Sequence, residues 1–190
     1  MKQKKPKKPF AFYIGNLLML FSALLLLYIY YPYIMLFVFT PKVDNNIIKN
    51  GTYIQIPKIN AQAPIFKDIN PWKEADYRPV LEKGVAQAKG TAFPPQNGTI
   101  YIFAHSSDLP WRIARYNTIF LRLGELTKGD IVKIFDKGKQ YNYKVMDKKT
   151  VWPNEIKYLE KNQENKLILQ TCTPIGTSLM RLLVFAVPIK

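Results

Sequence analysis

The segment LILQTCTPIGTSLMRLLVFAV, residues 167–187, contains two apolar runs separated by a short loop rich in proline, glycine and hydroxyl side chains. Apolar runs bounded by turn residues predict two β-strands, which the loop would join as an antiparallel pair. With the turn centred between Gly176 and Thr177, Cys172 falls directly opposite Arg181, and opposed side chains lie on one face of a sheet. A slip of one residue would place them on opposite faces.

Cys172 is the only cysteine of the chain, and His105, which follows the run TIYIFA, is its only histidine. A cysteine attacks carbonyl carbons as the thiolate, which a nearby cation or base promotes. A thiol, an imidazole and the guanidinium of Arg181 are sufficient for acyl transfer through a thioester. Each also has a structural interpretation, because lone cysteines are often small buried apolar residues and lone histidines are often hydrogen-bonded core residues.

The N-terminal region consists of a lysine-rich start and then a segment, residues 9–41, without a charged residue. A helix needs about 20 apolar residues to cross a bilayer, and residues 12–31 supply them. We therefore expect the following parts: a basic cytoplasmic tail over 1–9, a transmembrane signal anchor over 10–40, a linker over 41–50 and an extracytoplasmic domain over 51–190. The linker and the domain follow from the polar composition after residue 41.

Two alternatives to the anchor are a cleaved signal peptide and a hairpin buried in a soluble protein. A signal peptide has a shorter apolar core and an Ala-x-Ala type of cleavage site, and this segment has neither. Pro32, among a cluster of tyrosines, is expected to end or kink the helix. The positive-inside rule places the lysine-rich N-terminus in the cytoplasm.

The formal net charge is +15, and part of this excess belongs to the predicted exported domain. A basic exported domain suits an anionic cell envelope. The basic residues are scattered singly, which favours a solvated surface, and we expect no nucleic acid partner. The single cysteine excludes an internal disulfide, and one cysteine with one histidine is too few for a structural zinc site.

Short apolar or alternating runs between turn signals predict a mostly β domain, either a sandwich or a barrel. The predicted strands cover residues 53–56, 99–103, 131–135, 140–145, 167–171 and 179–187, with a hairpin turn at 136–139. Helical periodicity is weak and is confined to residues 71–83, 112–121 and 154–161.

At these residues the sequence resembles the sortases, the membrane-anchored cysteine transpeptidases of bacterial surfaces. The motif LQTC, residues 169–172, is similar to the family's Thr-Leu-x-Thr-Cys signature, with Ile168 in place of the first Thr. Arg181 is similar to the arginine that opens the next strand, and Ala104 with His105 to the family's Gly-His. Further similar segments are residues 56–65, 83–86, 90–94 and 126–132, so that the resemblance covers about Gly51 to Pro188.

The resemblance implies a closed eight-stranded β-barrel with short helices, preceded by one transmembrane helix. It implies that Cys172 attacks the Thr carbonyl of a Leu-Pro-x-Thr-Gly-like sorting signal near the C-terminus of a secreted protein. An amine of the cell envelope or of a pilin then resolves the thioester. His105, paired as imidazolium with the thiolate, would transfer protons, and Arg181 would stabilise the oxyanion or hold the peptide.

Other residues receive roles from the same resemblance. Thr171, Ala104 and Thr173 would bind the substrate. Asp108 could orient the imidazole, but a helix cap or a solvated loop is the preferred interpretation. Asn70-Pro71-Trp72 is similar to the Asp-Pro-aromatic lid of pilus-building sortases, but it follows the first strand and lacks the acid, so an ordinary turn is the alternative. Acidic residues are dispersed, and we expect no required metal and no cofactor.

Two other functions fit the same residues. One is a thiol peptidase that uses water as the acceptor, and the other is a non-catalytic, envelope-anchored β-barrel module. Product analysis with an added amine separates the first from a transpeptidase, and the reactivity of Cys172 towards alkylation separates the second.

Overall fold

The structure is a computed structural model that describes residues 9–38, 51–107, 118–158 and 164–189. The chain divides into two compact units, residues 1–40 and 41–190. A single helix forms the described part of the first unit, and the strands belong to the second. The predicted linker over 41–50 and most of the predicted helix over 112–121 lie outside the described residues.

Helix α1 spans Phe10–Val38 and carries no charged residue. Its part Phe10–Tyr31 is long and apolar enough to cross a membrane, and it is not packed inside the protein. These properties fit a single-pass membrane protein. The helix continues beyond Pro32, so the expectation that it ends there is wrong, whereas a kink is not tested. A proline removes only one backbone donor, and the apolar residues on both sides continue the helix.

The second unit is a closed eight-stranded barrel, as predicted, in the order β1-β2-β3-β4-β7-β8-β6-β5, and β5 pairs with β1 to close it. The strands are β1 Tyr53–Ile56, β2 Ala61–Ile69, β3 Val85–Ala88, β4 Thr99–Phe103, β5 Ile131–Asp136, β6 Lys139–Val151, β7 Lys166–Thr173 and β8 Met180–Ile189. Helix α2, Glu74–Leu81, lies between β2 and β3, and 3₁₀ helices cover Pro57–Ile59, Leu123–Glu125 and Ile156–Tyr158.

Six of the eight strands coincide with the apolar runs, whereas β2 and β3 do not show a clear strand pattern. β2 contains Pro64, Lys67 and Asp68, and β3 is only four residues long. The two strands pair parallel with each other, as β4 and β7 do, and the remaining pairs are antiparallel. Closure of the barrel supplies partners for segments whose own sequence does not specify a strand.

The barrel interior is filled by aliphatic side chains, and β7 contributes strongly to it. Leu167 and Leu169 are fully buried, together with Val184 and Ala186 on the neighbouring strand β8. Tyr77 of α2 packs edge-to-face on Phe103 of β4, with ring centroids 6.0 Å apart. Tyr158 covers Phe185 of β8 with centroids 5.7 Å apart. Two flanking segments therefore cover the outer face of β4 and β8, on either side of β7 in the sheet order.

A polar cluster, which we call the Asp136 cluster, joins β2 and β5 to the start of β1. The buried carboxylate of Asp136 accepts hydrogen bonds from Lys67 Nζ at 2.7 Å and from Thr52 Oγ1 at 2.6 Å. The ammonium of Lys67 also lies 4.1 Å from the centre of the Phe93 ring. Burial opposes the charged form of Asp136, but these two donors outweigh it and hold the pKa of Asp136 below its ordinary value.

Candidate active site

The ladder between β7 and β8 has the register predicted from the loop. Cys172 is the register partner of Arg181, and Thr171 and Thr173 face Leu182 and Met180. Side chains of register partners share a face, so the thiol and the guanidinium project from the same side of the sheet. The prediction of this pair from the position of the turn is confirmed.

His105 follows β4, which borders β7 on the side opposite to β8. β4 pairs parallel with β7 up to Phe103 and Gln170, and the N–H of Ala104 then donates to the carbonyl of Gln170 at 3.1 Å. The register therefore continues one residue past β4, and one further step in the same register would bring the backbone of His105 opposite Cys172. Neighbouring strands are about 4.8 Å apart. In that register the only histidine, the only cysteine and Arg181 fall at one level of three adjacent chain segments. Because these are the three predicted catalytic residues, we call them the catalytic row.

Cys172 and its neighbour Thr171 differ in exposure. Cys172 is half-buried, whereas Thr171 is 3% exposed and donates its hydroxyl to the carbonyl of Ala104 at 3.0 Å. Because side chains alternate along a strand, Cys172 lies on the outer face and Thr171 lies on the inner face. Half-exposure is the setting of a thiol that can meet a substrate, and a fully buried structural cysteine would not have it.

Arg181 is anchored through the backbone. One of its guanidinium nitrogens donates to the carbonyls of Ser178 and Met180, at 2.9 and 3.2 Å. Among the described residues no carboxylate forms an ion pair with it, although such pairs occur elsewhere in the barrel. Guanidinium groups carry five N–H donors, so the fork keeps donors for a further partner. Its positive charge lies on the same face as the thiol, and no carboxylate of the described residues neutralises it.

Two hydrogen bonds, which the sequence does not indicate, hold the segment that begins at His105. The carbonyl of His105 accepts a hydrogen bond from the N–H of Phe120 at 3.3 Å. Ser107 Oγ accepts one from the N–H of Gly176, in the loop between β7 and β8, at 2.8 Å. The loops that carry the two ends of the catalytic row are therefore joined to each other. A serine two residues after the histidine is the only signal in the sequence, and it is not specific.

Two residues before Cys172 on β7, a second set of register partners lies on the same face, and the sequence did not predict it. It consists of Phe103, Gln170 and Leu183, which are register partners on β4, β7 and β8. Phe103 and Leu183 are buried, and Gln170 is half-buried between them. Tyr101 Oη donates to Gln170 Oε1 at 2.5 Å. The amide of Gln170 is thus a fixed polar group between apolar neighbours on the face of the thiol.

The remaining predicted site residues differ in how exposed they are to solvent. Ala104 is 4% exposed and belongs to the core, so its methyl group packs inside the protein. Thr173 is half-buried at the end of β7. Asp108 lies outside the described residues. Asn70 Oδ1 accepts from the N–H of Trp72 at 3.0 Å, which forms a local turn with an exposed Trp72.

A zinc site in a protein needs at least three histidine, cysteine or carboxylate ligands in one place. Within residues 9–38, 51–107, 118–158 and 164–189, no three histidine, cysteine or carboxylate side chains lie close enough to share a metal ion. The described site therefore offers a thiol, an imidazole and a guanidinium, together with one amide.

A family model called the Sortase domain matches residues 54–189 of this chain. Sortase D of Bacillus subtilis (strain 168) is 32% identical over 124 residues. That match covers 65% of this chain and 54% of the relative, so the chain spans about half the length of the curated relative it matches.

Solved structures show the same similarity. The pilus-related Sortase C of Group B Streptococcus is 29% identical with a TM-score of 0.62, covering 75% of this chain and 68% of that one. A Clostridium perfringens Sortase D5 transpeptidase is 25% identical with a TM-score of 0.60, covering 74% of this chain and 79% of that one. The match with the family model covers the whole barrel, including the catalytic row.

Proposed function

The chain belongs to the sortase family, and on that premise we propose that it is a membrane-anchored cysteine transpeptidase that acts on sorting signals of secreted proteins. The observation that carries the proposal is the catalytic row, in which the only cysteine and the only histidine meet an arginine without a carboxylate partner among the described residues. The Clostridium perfringens relative is a transpeptidase, which supports the same reaction class.

The first half of the reaction forms a thioester. The thiolate of Cys172 attacks the Thr carbonyl carbon of a Leu-Pro-x-Thr-Gly-like signal, and a carbon–sulfur bond forms. The peptide carbon–nitrogen bond breaks, and the imidazolium of His105 gives its proton to the leaving amine. The C-terminal peptide departs, and the secreted protein remains bound to Cys172 as an acyl-enzyme.

The second half returns the enzyme to its starting state. An amine of the cell envelope or of a pilin attacks the thioester carbonyl and transfers a proton to His105. The carbon–sulfur bond breaks, an amide forms and the thiolate returns. In both halves an oxyanion develops on the carbonyl oxygen, and the guanidinium of Arg181 is placed to donate to it. Its hydrogen bonds to the carbonyls of Ser178 and Met180 hold one guanidinium nitrogen in place.

We assign different supporting roles to the other predicted residues. Thr171 positions the two strands through its bond to Ala104, because both side chains are buried. Thr173, half-buried at the strand end, contacts the substrate. The reaction requires no metal and no cofactor in this scheme, since the thiol supplies the nucleophile and the guanidinium supplies the positive charge.

We further propose that α1 anchors the chain with the lysine-rich N-terminus in the cytoplasm and the barrel outside. The support is the apolar helix Phe10–Val38 after five lysines. The positive-inside rule gives the orientation. It also places Cys172 where secreted proteins and envelope amines are both present.

The test is a cleavage assay with the full-length chain in detergent micelles, a Leu-Pro-x-Thr-Gly peptide library and hydroxylamine as the acceptor. We expect hydroxamate products, and mass spectrometry should find the acyl group on Cys172. Cys172→Ala should abolish both signals, and an alkylated wild-type protein provides a second inactive control. Cleavage that persists in Cys172→Ala would exclude the thioester mechanism.

The same assay separates the two alternatives. A thiol peptidase would release the free acid at an equal rate with and without hydroxylamine. A non-catalytic module would cleave nothing, and its cysteine would react with iodoacetamide no faster than a free thiol. The half-buried position of Cys172 next to His105 argues for the catalytic alternatives.

A further inference from the structure

Gln170 occupies an unusual position for a polar residue. It lies on the same face of β7 as Cys172, two residues before it, and its register partners Phe103 and Leu183 are both buried. Gln170 itself is half-buried, which leaves its amide accessible. We call Gln170 and Cys172 together the β7 strip, because they are the half-buried outer-face residues at this end of the strand.

A hydrogen bond from Tyr101 fixes the orientation of the side-chain amide of Gln170. Tyr101 is 3% exposed, and its hydroxyl donates to Gln170 Oε1 at 2.5 Å. Burial raises the pKa of Tyr101 well above its usual range, although the charge of Arg181 opposes this effect. The hydroxyl therefore stays protonated and acts as a donor. With Oε1 held by Tyr101, the NH₂ group of Gln170 is directed away from the tyrosine.

The NH₂ group has no hydrogen-bond partner within the described part of the chain. Before substrate binds, water satisfies its two donors. A peptide that reaches Cys172 along the outer face would displace this water, because Gln170 lies about 6.7 Å from Cys172 at 3.3–3.4 Å per residue. An apolar peptide side chain over the amide would then leave a donor unpaired, and a side chain with an oxygen acceptor would not.

We propose that Gln170 is a specificity-determining residue, which selects sorting peptides that carry, besides the hydroxyl of the Thr in the proposed signal, a side-chain hydrogen-bond acceptor within about two residues of the scissile carbonyl. This inference rests on the proposed function, since it requires a peptide to lie over Cys172. Tyr101 is a positioning residue in this scheme, because it acts only by orienting the amide. The preferred substrates therefore carry an acceptor side chain at one position besides the Thr.

The experiment compares matched peptides in the full-length protein. Each position around the scissile bond except the Thr is varied in turn between Asn and Leu, and kcat/KM is measured for each pair with wild type, Gln170→Leu and Tyr101→Phe. At one position the wild type should prefer Asn, and Gln170→Leu should lower this Asn-to-Leu ratio about tenfold. Tyr101→Phe should lower the same ratio by less, about threefold, because the amide is still present but no longer oriented.

The control is Gln140→Leu, which makes the same substitution at an exposed position of β6 and should leave every ratio unchanged. Equal ratios at all positions in wild type and Gln170→Leu would overturn the inference, even if overall kcat/KM decreased. Because the readout is a ratio within one protein, a partial loss of folded enzyme does not alter it.

Failure of the proposed function gives a different result. In that case the wild type cleaves no peptide of the library, and Cys172 carries no acyl group in mass spectrometry. Cleavage by the wild type with unchanged selectivity in Gln170→Leu refutes only the role of Gln170.

Discussion

The Asp136 cluster and the catalytic row both contain polar groups in a mostly apolar barrel, but they differ in how those groups are partnered. In the cluster, the carboxylate of Asp136 is buried and bonded to Lys67 and Thr52. In the row, Cys172 is half-buried, and Arg181 bonds only to backbone carbonyls among the described residues. The first arrangement pairs its charged groups with each other, whereas the second leaves the thiol half-exposed and the guanidinium without a carboxylate among the described residues.

The difference shows which polar groups in this fold are structural. A buried polar group that lacks a partner is costly, so those that pair with each other serve stability. Half-exposed groups can be left incomplete because water pairs with them until a substrate arrives. Gln170 belongs to the second kind, since its carbonyl is paired and its NH₂ group faces outward.

Among substitutions in the two regions, we expect the largest effect from the replacement of Arg181, and we expect it on kcat. Arg181→Ala removes the donor to the oxyanion and should lower kcat by about 10²–10³, or about 3–4 kcal/mol of transition-state stabilisation. Arg181→Lys keeps the charge without the planar fork and should be intermediate. The measurement is peptide cleavage under saturating substrate, with Arg78→Ala on the surface of α2 as the control. A loss confined to KM would instead assign Arg181 to peptide binding.

A smaller effect, on stability alone, is expected at Asp136. Asp136→Asn should lower the free energy of unfolding by about 2 kcal/mol at neutral pH, because it removes a charge-assisted bond to a half-exposed lysine. Activity of the folded enzyme should not change. Chemical denaturation measures the first quantity, and Asp147→Asn on the exposed part of β6 is the matched control.

The same variant gives a pH dependence with a definite sign. The pKa of Asp136 is lowered in the folded protein, so its contribution to stability is present above the pKa of the unfolded state, about 3.9. That contribution is lost as the pH falls through the lower folded value. Wild type and Asp136→Asn should therefore converge in stability in acid and differ near neutral pH. A constant difference across this range would show that the charge of Asp136 is not the cause.

A substitution at Thr171 is expected to affect both stability and activity, because Thr171 is buried, as Asp136 is, and is adjacent to Cys172. Thr171→Val keeps the shape and removes the donor to the Ala104 carbonyl, which should cost about 1.5 kcal/mol of stability. It should also lower kcat through the position of His105 relative to Cys172. Unfolding and cleavage measured together test this, with Thr150→Val on the exposed side of β6 as the control.

The smallest effect is expected at Ser107, where the hydrogen bond is exposed to solvent. Ser107→Ala removes the acceptor for the N–H of Gly176 and should lower kcat/KM about twofold to threefold, since water replaces an exposed bond at a cost of about 0.5 kcal/mol. Ser107→Thr retains the hydroxyl and should restore activity. An unchanged kcat/KM in Ser107→Ala would show that the two loops are held together by other contacts.

Much of the fold was predictable because most strands are bounded by turn residues. The apolar runs located six strands, and the loop at Gly176 fixed the register that pairs Cys172 with Arg181. β2 and β3 were not predicted from periodicity, because β2 contains Pro64, Lys67 and Asp68 and β3 is only four residues long, so that neither shows a clear alternating pattern. Local propensity has little influence where tertiary pairing supplies the hydrogen bonds.

The sequence by itself determined the apolar N-terminal helix, a mostly β domain and the pair formed by Cys172 and Arg181, since these depend on length, apolar pattern and one short turn, whereas the apolar pattern left a sandwich or a barrel open. Only the tertiary structure brought the end of β4, which precedes His105, next to the end of β7 that carries Cys172, because these strands are distant in the chain and pair in parallel in the barrel. It also showed the hydrogen bond between Tyr101 and Gln170, which no local pattern indicates. Side-chain partners across a sheet depend on register and strand order, and closure of the barrel sets both.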